Sequence, residues 1–277
     1  MSLPPIFYHF FRSPLPYSQT LALQELIYGA QLARRRGARD HRDYLLLLEH
    51  RPVFTAGRRQ LEDEIREERM RLRRMGADFE TTQRGGQLTY HGPGQIVGYP
   101  LLDLGRTTPA ISIRDYICRI QRTLQEHLRG THGIPSSPSE HTGVFLDAHT
   151  KVASIGVQVR HRLTTHGFAL NVTRKPLAWF DSIVACGLDD VKAGAIAGRS
   201  TKKPEVEVTV EDEIPALVES FGRVFGREMA RLEVDKGDEI NDAILGLEDL
   251  ARNLEREVPA PSAPLLSDQP LGTAGHS

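Results

Sequence analysis

Residues 83–95 read QRGGQLTYHGPGQ, and the character of the chain on either side of them decides the fold. Four glycines in thirteen positions bring backbone close to a neighbour, or into positive φ that other residues resist. ADFETTQ (77–83) leads in with strand character, and QIVGYPLLDL (95–104) leaves as a second strand. A Walker loop would close on Gly-Lys-Ser/Thr, whereas this stretch runs Gly94-Gln95-Ile96 and contains no lysine. A dinucleotide fingerprint runs strand, glycines, helix. A strand after the glycines argues against both phosphate cradles. The plain alternative is a glycine-rich strand crossing with a buried histidine.

Outward from the loop, helices and strands intersperse without a regular βαβ period. YSQTLALQELIYGAQLARRRG (17–37) carries Leu21, Leu23, Leu26, Ile27 and Leu32 at helical spacing, with Gly37 as its stop. DYLLLLEH (43–50) reads as a buried strand, and EDEIREERMRLRRMG (62–76) as a charged surface helix closed by Gly76. SIRDYICRIQRTLQEHLRG (112–130) aligns Ile113, Tyr116, Ile117, Ile120, Leu124 and Leu128 on one face, with Cys118 a packing residue on its shoulder. HTGVFLD (141–147), KVASIGVQVRHRL (151–163) and THGFALNV (165–172) have β texture. A last regular helix covers VEDEIPALVESFGRVFGREM (210–229), with Thr209 as N-cap.

Beyond residue 234 the composition turns acidic, and the final 19 residues are rich in proline, serine and glycine. The organisation expected is one α+β domain over 6–232, an acidic helical extension over 233–258 and a disordered tail over 259–277.

Bulk properties narrow the function classes. With 39% hydrophobic and 26% charged residues and a net charge of −1, the 277-residue chain has no basic field for nucleic acid. DYLLLLEH is strand-sized and far short of a membrane span. Neither nucleic acid nor membrane is an expected partner. Two cysteines, Cys118 and Cys186, fit a reducing compartment. The start MSLPPIFYHF has neither a secretory apolar region nor an arginine- and serine-rich transit peptide. No Cys/His group has zinc spacing, so no metal is expected, and His161 and His166 fall on opposite faces of a strand pattern.

Two reactive residues stand at strand edges, Lys151 in TKVASIG and Cys186 in VACGLDD. A thiol with a pKa near 8.5 is only a few per cent thiolate at neutral pH, and an ammonium within a few ångströms favours the thiolate. Together they make a competent acyl-transfer dyad. Singly, each is a solvated lysine or a filler cysteine.

The set RGGQLTYHGPGQ, KVASIGVQV, HGFALNV and ACGL, with PVFTAGR (52–58) upstream, resembles the lipoyl(octanoyl) transferases over residues 6–232. The resemblance implies the catalytic fold of biotin and lipoate ligases, a mixed β-sheet flanked by helices. It implies an acyltransferase that moves an octanoyl group from octanoyl-acyl carrier protein to a lysine of lipoyl domains, through an acyl-cysteine intermediate. The acceptors implied are 2-oxoacid dehydrogenase lipoyl domains and the glycine-cleavage carrier protein, and no cofactor is implied. Cys186 would be the nucleophile and Lys151 the residue that lowers its pKa. Arg84, Gly85, Gly86, Gln87, Leu88, Thr89, Tyr90 and His91 would line the acyl site, completed by Ser154, Ile155 and Gly156 and by Gly167, Phe168 and Ala169. Amides of Gly85, Gly86 and Gly156, with His91 as a further donor, would meet the oxyanion. His166 either holds a turn through a buried hydrogen bond or takes part directly.

Ala185 stands where many family members have proline, which loosens the turn before the cysteine. Two other readings stay open: an ATP-dependent lipoate or biotin ligase on the same fold, and a non-catalytic carrier-binding module. A GRGRxxR-like adenylate loop is missing, which disfavours the ligase. Enzymes of the family act in the mitochondrial matrix or, in bacteria, in the cytosol.

Overall fold

A computed structural model of the chain describes residues 3–37, 40–60, 62–183, 190–202, 204, 207–257 and 263–264. In chain order the elements are β1 (Ile6–Phe10), α1 (Tyr17–Arg36), β2 (Asp43–Leu48), β3 (Val53–Ala56), α2 (Glu62–Arg74), β4 (Asp78–Thr81), β5 (Thr89–His91) and β6 (Gln95–Leu101). Then follow α3 (Ile113–His127), β7 (Val144–Phe145), β8 (Thr150–Arg160), β9 (Leu163–Asn171), α4 (Lys175–Phe180), β10 (Lys192–Ala193), α5 (Val210–Phe225), β11 (Met229–Arg231) and α6 (Glu239–Glu257).

The larger sheet runs β10-β8-β9-β6-β2-β1-β11, with β7 also paired to β8. Its left half is an antiparallel β8–β9–β6–β2 meander, while β1 runs parallel to both β2 and β11. Every residue of β2 is buried, as a central strand covered on both faces requires. Alternation along it sorts the two cores. Leu45 and Leu47 pack with Tyr116, Ile120 and Leu124 of α3 and with Leu217 and Phe221 of α5. Leu46 and Leu48 pack with Leu23 and Ile27 of α1 and with Ile244 and Leu247 of α6. The result is three layers, α3 and α5 on one side and α1 and α6 on the other. A small second sheet, β4-β3-β5, carries the glycine loop and packs against α4 through Phe54, Tyr90, Trp179 and Phe180.

Caps and stops follow the local chemistry. Thr209 accepts from the Asp212 amide at the start of α5, and Ser112 does the same for Asp115 in α3. Gly226 closes α5 in the left-handed conformation.

Three sequence expectations change. Cys118 is exposed, not packed. The buried stripe of α3 passes through Tyr116, Ile120 and Leu124, and a residue two positions from Tyr116 lies roughly 200° around the helix. Ile113, on the apolar stripe, is 53% exposed. Periodicity selects a face, but a neighbouring element must extend far enough to cover it. His161 and His166 do not share a strand, because a tight turn at 161–162 separates β8 from β9. The tail assigned to 259–277 lies outside the described residues, apart from 263 and 264.

Candidate active site

The loop after β4 folds back on β3 and is held there by Arg84, which is buried. Its guanidinium donates to Thr55 Oγ1 at 2.8 Å, to the Thr55 carbonyl, to Gln87 O at 2.8 Å and to Gly85 O at 3.0 Å. These acceptors bind the guanidinium into the loop, so Arg84 shapes the site by fixing its wall. Gly57 of the PVFTAGR segment lies beneath: a Cβ there would sit 2.4 Å from Gly86 O. Gly156 meets the loop from β8, where an added Cβ would fall 2.9 Å from Gly85 O. Backbone therefore approaches backbone on both sides, which only glycine permits.

Between the loop, β6, β8 and β9 lies a cavity of about 50 Å³. It is lined by Arg84, Gly85, Gly86, Thr89 and His91, by Ser154, Ile155 and Gly156, and by His166, Gly167, Phe168 and Ala169. Residues that the sequence separates by some 80 positions are thus brought to one chamber. Gln87, Leu88 and Tyr90 are not part of its wall. Tyr90 and Leu88 belong to the separate cluster around Phe54 and Trp179, with the Tyr90 ring stacked 5.1 Å from Trp179. The pleat is the reason: Thr89 and His91 face one way from β5 and Tyr90 the other.

Tyr17, Val97 and Tyr99 complete the wall and were not anticipated. Val97 and Tyr99 were legible, since QIVGYPL alternates and the glycine loop fixes which end it enters. Tyr17 was not, because it arrives from the first turn of α1.

Two histidines, His91 and His166, line the cavity, and His50 stands behind Tyr99. His50 Nδ1 donates to the Leu15 carbonyl at 3.0 Å, so its Nε2 accepts from the Tyr99 hydroxyl at 2.6 Å. Burial drives the His50 pKa down to about 4. Asn171 Nδ2 donates to Gly194 O, and Gln95 Nε2 donates to Asn171 Oδ1 and Tyr90 O. Gln95 Oε1 is therefore the acceptor for His91 Nδ1 at 2.8 Å. His91 is held well below the ordinary imidazole value, first by burial, then by neighbouring His50 and the charge of Arg84. A neutral ring with its hydrogen on Nδ1 has a lone pair on Nε2, so Nε2 accepts hydrogen bonds while the lowered pKa disfavours its taking up a proton.

His166 is buried, with φ of 58°, a left-handed conformation that a non-glycine residue resists. Its amide donates to Gln24 Oε1 at 2.7 Å, its Nδ1 lies 3.5 Å from the Tyr17 hydroxyl, and burial drives its pKa to about 3. His166 thus anchors Gln24 of α1 through its amide, and it lines the cavity. The Gly85 amide donates to Val157 O at 3.1 Å, so it is occupied and cannot serve an oxyanion. The Gly86 amide has no acceptor among the described residues.

Lys151, on β8, is 9% exposed, with its Nζ 5.5 Å from the centre of the Phe145 ring. It lines a second cavity of about 20 Å³ together with Ser154, Asn171, Phe180, Val191, Lys192 and Ala193. Ser154 belongs to both cavities, so the lysine chamber adjoins the larger one. Cys186, the expected nucleophile, lies outside the described residues, as does Ala185. The described chain on either side, Phe180 and Val191, lines the lysine chamber.

Comparison with known proteins bears on this geometry. The family model of the lipoyl protein ligase A/B catalytic domain matches residues 16–222. The octanoyltransferase of Koribacter versatilis is 37% identical over 220 residues, 78% of this chain and 82% of that one. The mitochondrial octanoyl-[acyl-carrier-protein]:protein N-octanoyltransferase LIPT2 of Danio rerio is 41% identical over 181 residues, 65% of this chain and 76% of its own. In solved structures, the putative lipoate protein ligase of T. acidophilum with bound lipoic acid superposes with a TM-score of 0.60 at 18% identity, covering 93% of this chain and 95% of that one. At that identity the likeness concerns the fold alone, and it is the mixed sheet flanked by helices described above. The family match over most of the chain and the identity to named octanoyltransferases lead to one conclusion: this chain belongs to the lipoyl(octanoyl) transferase family.

Proposed function

We propose that the chain is an acyltransferase that moves an octanoyl group from an acyl carrier protein to a lysine of a lipoyl-bearing protein, by way of an octanoyl thioester on Cys186. The observation that carries this reading is the junction at Ser154 of the larger cavity and the lysine chamber. The larger cavity's wall of glycine backbone, Ile155, Phe168 and Ala169 suits an uncharged acyl chain. Phe180 and Val191, described residues on either side of the Cys186 segment in sequence, both line the chamber of Lys151.

In the first step the Cys186 thiolate, favoured by the Lys151 ammonium, adds to the thioester carbonyl. The oxyanion takes a hydrogen bond from the Gly86 amide, and collapse expels the carrier's thiolate, which takes up a proton from the Lys151 ammonium. In the second step the acceptor lysine amine adds to the acyl-cysteine. The now neutral Lys151 receives the amine's proton, and the Cys186 thiolate leaves. A preorganised oxyanion donor is worth about 10²–10³ in rate. The acceptors are lipoyl domains of 2-oxoacid dehydrogenase complexes and the glycine-cleavage carrier protein, and the compartment is the mitochondrial matrix or the bacterial cytosol.

Incubation with octanoyl-carrier protein should add one octanoyl mass to the wild-type chain and none to Cys186→Ser. A peptide map with the acyl group on Cys118 would remove the assignment. Transfer should proceed without ATP; strict ATP dependence would favour the ligase reading instead.

A further inference from the structure

Outside the acyl site, three fully buried titratable side chains converge on a single point. His127 ends α3, His132 ends the π-helical turn over Leu128–His132 that follows it, and Glu213 stands in the first turn of α5. Their exposures are 0%, 0% and 2%, in a part of the molecule otherwise filled with Leu124, Leu128 and Leu217. His132 Nε2 lies 2.7 Å from Glu213 Oε2, and His127 Nε2 lies 2.8 Å from the same oxygen. The ligand atoms of all three fall within 4.8 Å of one another. Single-turn π segments insert one residue into a helix and recur at functional sites. Here that turn lets two histidines five residues apart present their Nε2 atoms to one carboxylate oxygen.

Two features separate this cluster from an ordinary buried hydrogen-bonded triad. His127 Nε2 lies 2.8 Å from Glu213 Oε2 but off the hydrogen-bonding direction, so this fully buried ring nitrogen has no well-aligned hydrogen-bond partner among the described residues. Both rings, moreover, turn their other nitrogen to a hydroxyl: His132 Nδ1 is 3.2 Å from Ser200 Oγ, and His127 Nδ1 is 3.5 Å from Thr131 Oγ1. An outer partner on Nδ1 that leaves Nε2 to ligate is the usual arrangement around metal-bound histidine.

We propose that His127, His132 and Glu213 form a binding site for one divalent transition-metal ion of the zinc type, tying the end of α3 to the start of α5. Two imidazoles and a carboxylate are borderline donors suited to zinc, with a water completing four-coordination. Each ring ligates through the Nε2 lone pair and keeps its hydrogen on Nδ1, donated to Ser200 or Thr131, so any hydrogen on Nε2 moves to Nδ1 without net proton release. Zinc–nitrogen bonds near 2.0–2.1 Å at tetrahedral angles ask the ligand atoms to stand roughly 3.3 Å apart, so the cluster opens by about half an ångström. Full burial makes the ion structural. No zinc spacing shows in the sequence because the third ligand lies 81 residues beyond His132.

Zinc chloride titrated into the chelator-dialysed full-length chain tests this, read by competition with a chromophoric chelator and by thermal melting. One equivalent is expected to bind with submicromolar affinity and to raise the melting temperature by several degrees. His132→Gln and Glu213→Gln should each weaken that equivalent at least 100-fold. Ser200→Ala, which leaves the three ligands in place, should weaken it about 10–100-fold and keep the fold even if the ligand variants do not. Cobalt(II) should give the visible bands of a tetrahedral nitrogen–oxygen site. No zinc-dependent rise in melting temperature of the wild type would overturn the proposal in favour of a metal-free hydrogen-bonded cluster. One equivalent bound with undiminished affinity by the three variants would overturn it in favour of zinc elsewhere, such as on a thiol.

Discussion

At the residue scale, the histidines in and behind the larger cavity are kept neutral by burial. His50, with a folded pKa of about 4, and His166, at about 3, both lie below the ordinary value of 6.5, and His91 is displaced the same way. A histidine that stays neutral when folded gains its proton only on unfolding, so the unfolded state binds more protons below pH 6.5. Stability is then greatest above that value and falls as pH drops toward 4, by about 1.4 kcal/mol per pH unit for each such group. Urea midpoints at pH 7, 6 and 5 should decline steeply, and a flat profile would show these rings already charged in the fold. Among the described residues the Tyr99 hydroxyl is the one hydrogen-bond partner of His50 Nε2, so Tyr99→Phe leaves a buried lone pair unmet and should cost about 1–3 kcal/mol in chemical denaturation. Lys151→Ala should slow alkylation of Cys186 at neutral pH, read by timed iodoacetamide labelling and peptide mapping. Unchanged reactivity would take Lys151 out of the priming role.

At the scale of elements, the three residues of β5 divide the loop's labour. Thr89 and His91 face the chamber, and Tyr90 packs on Trp179, its buried hydroxyl without a hydrogen-bond partner. Tyr90→Phe should therefore leave octanoyl transfer unchanged and stability equal or up to about 1 kcal/mol higher, checked by kcat and by urea unfolding. Gly156→Ala, on β8, pushes a methyl against Gly85 O and should both lower transfer and destabilise by about 1–3 kcal/mol, as overpacking does. Period-2 alternation was available from the sequence for LTYH. What it lacked was the knowledge that the far side of β5 faces α4, a helix the sequence did not announce. Pro176 near its start and a length of six residues give too little periodicity to see.

For the whole molecule, α6 is as much a part of the core as α1. Ile240, Ile244, Leu247 and Ala251 are buried against Leu23, Ile27, Leu46 and Leu48. Removing the chain after residue 232 would expose three large aliphatic side chains and their partners, a loss of roughly 5 kcal/mol or more at 1.5–3 kcal/mol each. Such a truncation should lose its cooperative melting transition, as followed by circular dichroism. The sequence by itself determined most helices and strands, since buried stripes of period 3.6 or 2 must show as apolar spacing. It also determined the excluded phosphate cradles, because those need a lysine or a following helix within a few residues. The family likeness rested on short motifs that survive as contiguous text. Tertiary structure alone decided that Tyr17 lines the chamber, that His91 Nε2 is an acceptor and that His127, His132 and Glu213 meet. Each depends on contacts between segments far apart in the chain, and hydrogen-bond direction and burial are properties of those contacts, not of any local spacing.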